Sequence, residues 1–283
     1  MQKPVRTVMW NGTVRSLSFA EQLRATALAG CQAMSVTPYG YTQWLTQGLS
    51  PRDLRSMASD RGVRLFHLDP LIRWVRNWKP DLPEQAFPYH ALSFTEEEFL
   101  GFAEALGVES FTAWGAFPEG TVSFSEIVDA FGSLCARAAS RGLRCDLEFL
   151  PMYGIPTLEA AWRILETVGA ANSGLAFDCW HYFRGKPDDA LLRSIPGASI
   201  TGVQISDAGA VAPAGVPLGR DGQTSRRLPG EGDFRIADII RILGSTGGLN
   251  NVGLEIFSTV FDAMSADDIG AACRRSLAAV LSA

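Results

Sequence analysis

Histidine is scarce in this chain, with only His67, His90 and His181 among 283 residues. Cysteine is sparse and scattered too: Cys31, Cys135, Cys145, Cys179 and Cys273 are odd in number and include no CxxC pair. That pattern argues against a disulfide framework or a thiolate zinc site. No apolar run approaches the ~18 residues of a membrane span, and the opening "MQKPVRTVMWNG" has no apolar h-region. Neither secretion nor membrane insertion is expected, and a cytoplasmic location is. Basic runs are also missing, and the formal net charge is −5. Nucleic-acid phosphates would find little electrostatic attraction, so a small molecule is the expected partner.

What is present is a well-packed composition, 47% hydrophobic and 19% charged, which excludes extensive disorder. Short runs rich in Val, Ile, Leu and Phe recur near residues 5–9, 33–37, 63–69, 109–114, 144–149, 174–178, 200–206 and 252–257. Segments of helical periodicity separate them, the pattern of a parallel α/β sheet. Ser18 with Glu21, and Ser50 with Pro51 and Asp53, are helix starts of the capping type. In "TLEAAWRILETVGA", Leu158, Ala161, Trp162, Leu165 and Val168 form one apolar stripe. Eight strands alternating with eight helices predict a closed (β/α)8 TIM barrel, one domain over residues 1–283. An open doubly wound sheet would carry a Gly-rich phosphate turn after its first strand, and "WNGTVRS" lacks one. The irregular "SDAGAVAPAGVPLGRDGQTSRRLPGEGDF" after strand 7, and "WKPDLPEQAFPYH" with His90 after strand 3, are expected to cover the barrel mouth.

In such a barrel the C-terminal strand ends face the active site. "RCDLEFLP" places Glu148 there, "LAFDCWH" Asp178, "TGVQISD" Gln204 and "VGLEIFS" Glu255, on four consecutive strands. Three carboxylates in one apolar cavity repel one another and lose hydration unless they are protonated, paired or bridged by a cation. The oxygen-rich set Glu148, Asp178, Gln204 and Glu255 suits a divalent metal, Mn²⁺ first, with Mg²⁺ or Co²⁺ as alternatives.

The stretches "EFLP", "FDCWH", "VQISD", "RRLPGEGDF" and "GLEIF" resemble, in order and strand placement, the xylose isomerase-like TIM-barrel family of sugar isomerases and epimerases, which also includes the endonuclease IV type. The resemblance covers nearly the whole chain. It implies that the acids of strands 5, 6 and 8 and the strand 7 ligand hold the metal, that His181 contacts substrate, and that Arg227 reaches substrate or a metal-bound oxygen. Arg226, its neighbour, serves that role equally well in the sequence. Gln204 departs from the histidine of many relatives and leaves the metal's identity open. Relatives are often dimers or tetramers, so a homo-oligomer is an expectation here too. A DNA-repair role is disfavoured by the three histidines.

His67 on strand 3 reads either as a substrate hydrogen bonder or as a core histidine. Trp10 and Trp114, ending strands 1 and 4, read as aromatic walls for a sugar-like ring or as core. Glu231 and Asp233 read as helix-start acids without a catalytic role. The expected activity is a metal-dependent isomerase or epimerase of a keto-sugar or hydroxy-ketone. Glu148 and Glu255 would remove and return a proton through a metal-stabilised enediolate. The alternative is a lyase of the inosose dehydratase-like or C-glycoside-cleaving kind, in which the enolate expels a β-leaving group. A sugar-binding barrel without turnover is the third reading.

Overall fold

The computed structural model describes residues 5–76, 78 and 94–282. His90, and all of the expected mouth segment after strand 3 except Trp78, lie outside these residues. Eight parallel strands close into a barrel in chain order. They are β1 (Arg6–Met9), β2 (Ala33–Val36), β3 (Arg64–Leu71), β4 (Ser110–Trp114), β5 (Arg144–Glu148), β6 (Ser173–Asp178), β7 (Ile200–Ile205) and β8 (Asn251–Leu254). β8 closes the ring by pairing Asn251 with Arg6 and Val252 with Thr7. The (β/α)8 barrel expected from alternating apolar runs is therefore the fold.

Helix starts follow their local chemistry. Ser18 with Glu21, and Ser50 with Asp53, each form a capping box, so the first backbone N–H groups of helices Phe19–Leu28 and Pro51–Ser59 meet side-chain oxygens. In helix Leu158–Val168 the buried stripe is Leu158, Ala161, Ile164 and Leu165, while Trp162 and Val168 are half-buried. The helices exceed the eight anticipated. Pro38–Thr46 precedes Pro51–Ser59 between β2 and β3, Cys179–Arg184 and Asp189–Ser194 both follow β6, and Leu218–Thr224 follows β7. Among the described residues no helix is long and apolar enough to cross a membrane.

Trp10 occupies the barrel interior and not the mouth. It is buried with Val8, Ala33 and Phe66, and its indole N–H donates to the Val203 carbonyl at 3.0 Å. Two glycines make room for the ring: a Cβ on Gly202 would lie 3.1 Å from Trp10 Cη2, and one on Gly253 would lie 3.4 Å from its Cδ1. The expected substrate-stacking place for Trp10 gives way to core packing among residues of β1, β2, β3, β7 and β8. His67 takes the core reading as well. It is 1% exposed, Nδ1 lies 2.7 Å from Ser110 Oγ and Nε2 lies 2.6 Å from Thr112 Oγ1. Burial, aided by the charge of Arg144, lowers its pKa to about 3, so the ring is neutral.

Candidate active site and metal centre

The C-terminal rim collects the acids. Glu148 and Asp178 are the last residues of β5 and β6, Gln204 pairs in register with Asp178, and Glu255 follows β8 directly. Glu148, Asp178 and Glu255 are each at most 3% exposed. Asp178 also caps helix Cys179–Arg184, accepting from the N–H groups of Trp180 at 2.6 Å and His181 at 3.2 Å. That cap turns the chain so that His181 Nε2 lies 3.5 Å from Glu148 and 3.6 Å from Asp178. The three-residue spacing of Asp178 and His181 thus delivers both side chains to one point.

Arg226, the neighbour of the residue favoured by the family resemblance, enters this point. Its Nη1 donates to Asp178 Oδ2 at 2.6 Å and to Glu255 Oε2 at 3.3 Å, and its Nε donates to the Gly222 carbonyl. The guanidinium lies 5.3 Å and 4.8 Å from the ring centroids of Trp180 and Phe257. Arg227 faces the other way. Its backbone pairs with Asp207, its Nη1 donates to the Glu231 carbonyl at 3.1 Å, and it is exposed. Successive residues of an extended segment point to opposite sides, so one of the two arginines enters and its neighbour cannot. Asp207 organises the loop by accepting from the N–H groups of Ala208, Gly230 and Phe234. Glu231 and Asp233 likewise serve the loop, accepting from Leu228 and Ala210 N–H groups.

Trp114 does line the site, and its indole N–H donates to Glu148 Oε2 at 2.5 Å. Asp69, not singled out in the sequence, is the acid that strand reasoning missed. It sits on β3, 7% exposed, with Oδ1 lacking any hydrogen-bond partner. The strand-end rule that selects Glu148 applies equally to Asp69 in "LFHLDP".

Electrostatics separate the acids. Burial, then the charges of Asp69, Asp178 and Glu255, push Glu148 well above the usual carboxylate range. Burial also raises Glu255 well above that range, with the charges of Asp178 and Asp69 adding to it against the pull of Arg226. For Asp178 burial acts upward, but Arg226 and His181 overcome it and hold the carboxyl below its ordinary value. His181 is lowered to about 4 by burial, so its imidazole is neutral and can act as a ligand.

Glu148, Asp178 and His181 can each place a ligand atom within 4.8 Å of the others. Gln204 alternates with Gly202, which faces Trp10 inside the barrel, so its side chain is directed to the same interior; its Oε1 is buried without a partner. An orphaned amide oxygen on the residue paired in register with Asp178, in a rim of buried acids, is an arrangement a cation satisfies. These residues fit a divalent ion held by oxygen donors and one imidazole. Glu255 joins them through Arg226, and His181 stands at ligand range, a position beyond the substrate contact implied by the resemblance.

The fold and this rim define a closed (β/α)8 barrel with acids at the ends of β5, β6 and β8 and an amide on β7 between them. The chain belongs to the xylose isomerase-like TIM barrel family, which it matches over residues 23–277. It is 28% identical over 265 residues to a 3-dehydroshikimate dehydratase of Pseudomonas aeruginosa, covering 93% of this chain. The chain spans only 39% of that relative's length. An inosose isomerase of Halalkalibacterium halodurans is 26% identical over 239 residues, covering 81% of this chain and 82% of the relative. Among solved structures, the IOLI protein, described with a binding zinc atom, superposes with a TM-score of 0.81 at 19% identity, covering 98% of both chains.

Proposed function

We propose that the protein is a divalent-cation-dependent lyase that dehydrates a cyclic polyhydroxy ketone. The observation that carries this reading is that two buried carboxyls, Glu148 and Glu255, line one cavity beside the Asp178–Arg226 ion pair, both pushed above the usual carboxylate range by burial. A carboxyl shifted toward neutrality is a competent base when ionised and a competent acid when protonated. One member of the pair removes the proton α to the carbonyl. The C–H electron pair then forms the enolate, and its collapse breaks the C–O bond at the β carbon. The other member delivers the proton with which the departing hydroxyl leaves as water. Glu148, Asp178, His181 and Gln204 would hold the cation, with Glu255 at its edge. When bound, a divalent ion supplies positive charge that stabilises the developing negative charge on the carbonyl oxygen. Arg226 keeps Asp178 ionised and orients Glu255. Mn²⁺ is the proposed ion, and Trp114 fixes the orientation of Glu148.

The dehydratase relative matches more of this chain than the inosose isomerase does, 93% against 81%, which favours elimination. Isomerisation is the second reading, because the same two carboxyls can return the proton they remove. Incubation of cation-supplemented protein with 3-dehydroshikimate and with inososes in D2O separates the two. Loss of one water marks the lyase, and unchanged mass with carbon-bound deuterium marks the isomerase. Neither outcome with any of Mn²⁺, Mg²⁺, Co²⁺ or Zn²⁺, or full turnover by both Glu148→Gln and Glu255→Gln, overturns the proposal.

A further inference from the structure

Beside the acid cluster lies a second chamber of about 400 Å³. It shares the walls Trp114, Gln223, Glu255 and Phe257 with the space over Glu148 and His181. A substrate reacting at the cluster would therefore extend into it. Tyr39 and Trp44 line it together with polar side chains such as Asn11, Thr37 and Gln43, and one of its two acids is Asp69. Asp69 is more than nine-tenths buried, and its Oδ1 lacks a partner. An orphaned buried carboxyl oxygen is costly unless a ligand satisfies it.

Below this side chain on β3, His67 is held by two hydroxyls of β4. Burial raises the pKa of the Asp69 carboxyl, and the Thr112 side chain acts against that rise. Thr112 Oγ1 in turn lies 2.6 Å from His67 Nε2, and His67 Nδ1 lies 2.7 Å from Ser110 Oγ. The histidine that the sequence left between core and site is thus held between two hydroxyls, two residues before this acid on β3.

We infer that Asp69 is a specificity-determining residue: its free oxygen binds a hydroxyl of a neutral, polyhydroxylated ring ketone and disfavours a carboxylate-bearing one. The inference rests on the proposed reaction for the placement of the substrate and adds the substrate's charge. A hydroxyl satisfies Asp69 whether the acid is ionised, as acceptor, or protonated, as donor. Above about pH 7, where Asp69 is ionised, a carboxylate meets a like charge there, and the described cations lining the two chambers are already committed. Arg15 is bound to Asp262 and Gln223, and Arg226 to Asp178 and Glu255. Sites built to pair a hydroxyl discriminate strongly because the wrong ligand leaves a buried group unpaired.

The test is calorimetric titration of Mn²⁺-loaded protein at pH 8, where Asp69 is ionised, with two probes, neutral scyllo-inosose and anionic 3-dehydroshikimate. The wild type is expected to bind the inosose at least about ten-fold tighter, the ratio of one well-placed hydrogen bond. Asp69→Ala should weaken inosose binding about ten-fold at unchanged metal stoichiometry, and isosteric Asp69→Asn should tighten 3-dehydroshikimate binding while folding as the wild type. Tighter wild-type binding of the anion, or Kd values for both probes within two-fold of wild type in both variants, overturns the inference. Because binding is read directly, the charge preference stands or falls separately from the reaction. A preserved inosose preference without elimination sinks the lyase reading alone. Elimination by a protein whose binding ignores Asp69 sinks this inference alone.

Discussion

Asp178 and Arg226 form the closest ion pair of the acid cluster, and Glu255 leans on the same nitrogen. Removing one partner of a buried pair leaves an uncompensated charge and costs roughly 3–5 kcal/mol. Arg226→Met should therefore lower the unfolding free energy of chelated protein, read by urea titration, by that order, and added Mn²⁺ should restore part of it by neutralising the same carboxylates. Arg227→Ala, on an exposed side chain, should change stability by less than about 0.5 kcal/mol. Equal losses in both variants would contradict the placement of Arg226. This contrast also marks the limit of reading residues from sequence. The acids were legible because an apolar strand that ends in a carboxylate leaves that group few places to go. Which of two adjacent loop arginines turns inward depends on the pairing of residue 227 with Asp207, 20 residues away in the chain, and no local pattern encodes it. Asp69 obeys the same strand-end rule, but the continuation of β3 through Pro70 to Leu71 hides that end in the sequence.

Strands and helix starts were legible for physical reasons that operate within a few residues. Buried parallel strands must be apolar throughout, and a serine three residues before an acid satisfies the first N–H groups of a helix. The added helices Cys179–Arg184 and Leu218–Thr224 were not legible, because one is nucleated by the site acid Asp178 and the other is embedded in a Gly- and Pro-rich loop. Barrel closure is a further element-scale property hidden in single glycines. A Cβ on Gly253 would lie 1.6 Å from the Val8 carbonyl oxygen, inside the β1–β8 seam. Gly253→Ala should therefore abolish soluble folded protein. Gly30→Ala should fold and lose only about 1 kcal/mol, since its φ is +75° but nothing lies within 4 Å of the added methyl. Circular dichroism and urea titration of the two variants check this, and a well-folded Gly253→Ala would mean that the seam is wider than described.

At the scale of the whole molecule, the site stores opposed proton affinities. Burial, with the charge of Asp178 adding to it against the Thr112 hydroxyl, raises Asp69 from 3.8 to about 7. The folded chain therefore holds this proton up to about pH 7, whereas the unfolded chain releases it near pH 4. Stability from this group is complete below the unfolded value and is lost as pH rises through that window. The upper bound is about 4 kcal/mol, and Asp69→Asn should remove the slope. Glu148 and Glu255, also raised, act in the same direction. His67 and His181, lowered to about 3 and about 4, act in the opposite direction, because the unfolded chain takes up their protons first, from about pH 6.5 downward. Chelated protein is thus strained by buried carboxylates above neutrality and by buried imidazoles in acid. A divalent cation relieves the first strain and not the second, because it binds ionised carboxylates and neutral histidine and competes with protons for them. The rise in Tm produced by Mn²⁺ over EDTA should consequently be larger at pH 8 than at pH 5. An equal rise at both pH values would mean that the ion binds elsewhere than among Glu148, Asp178, His181 and Gln204.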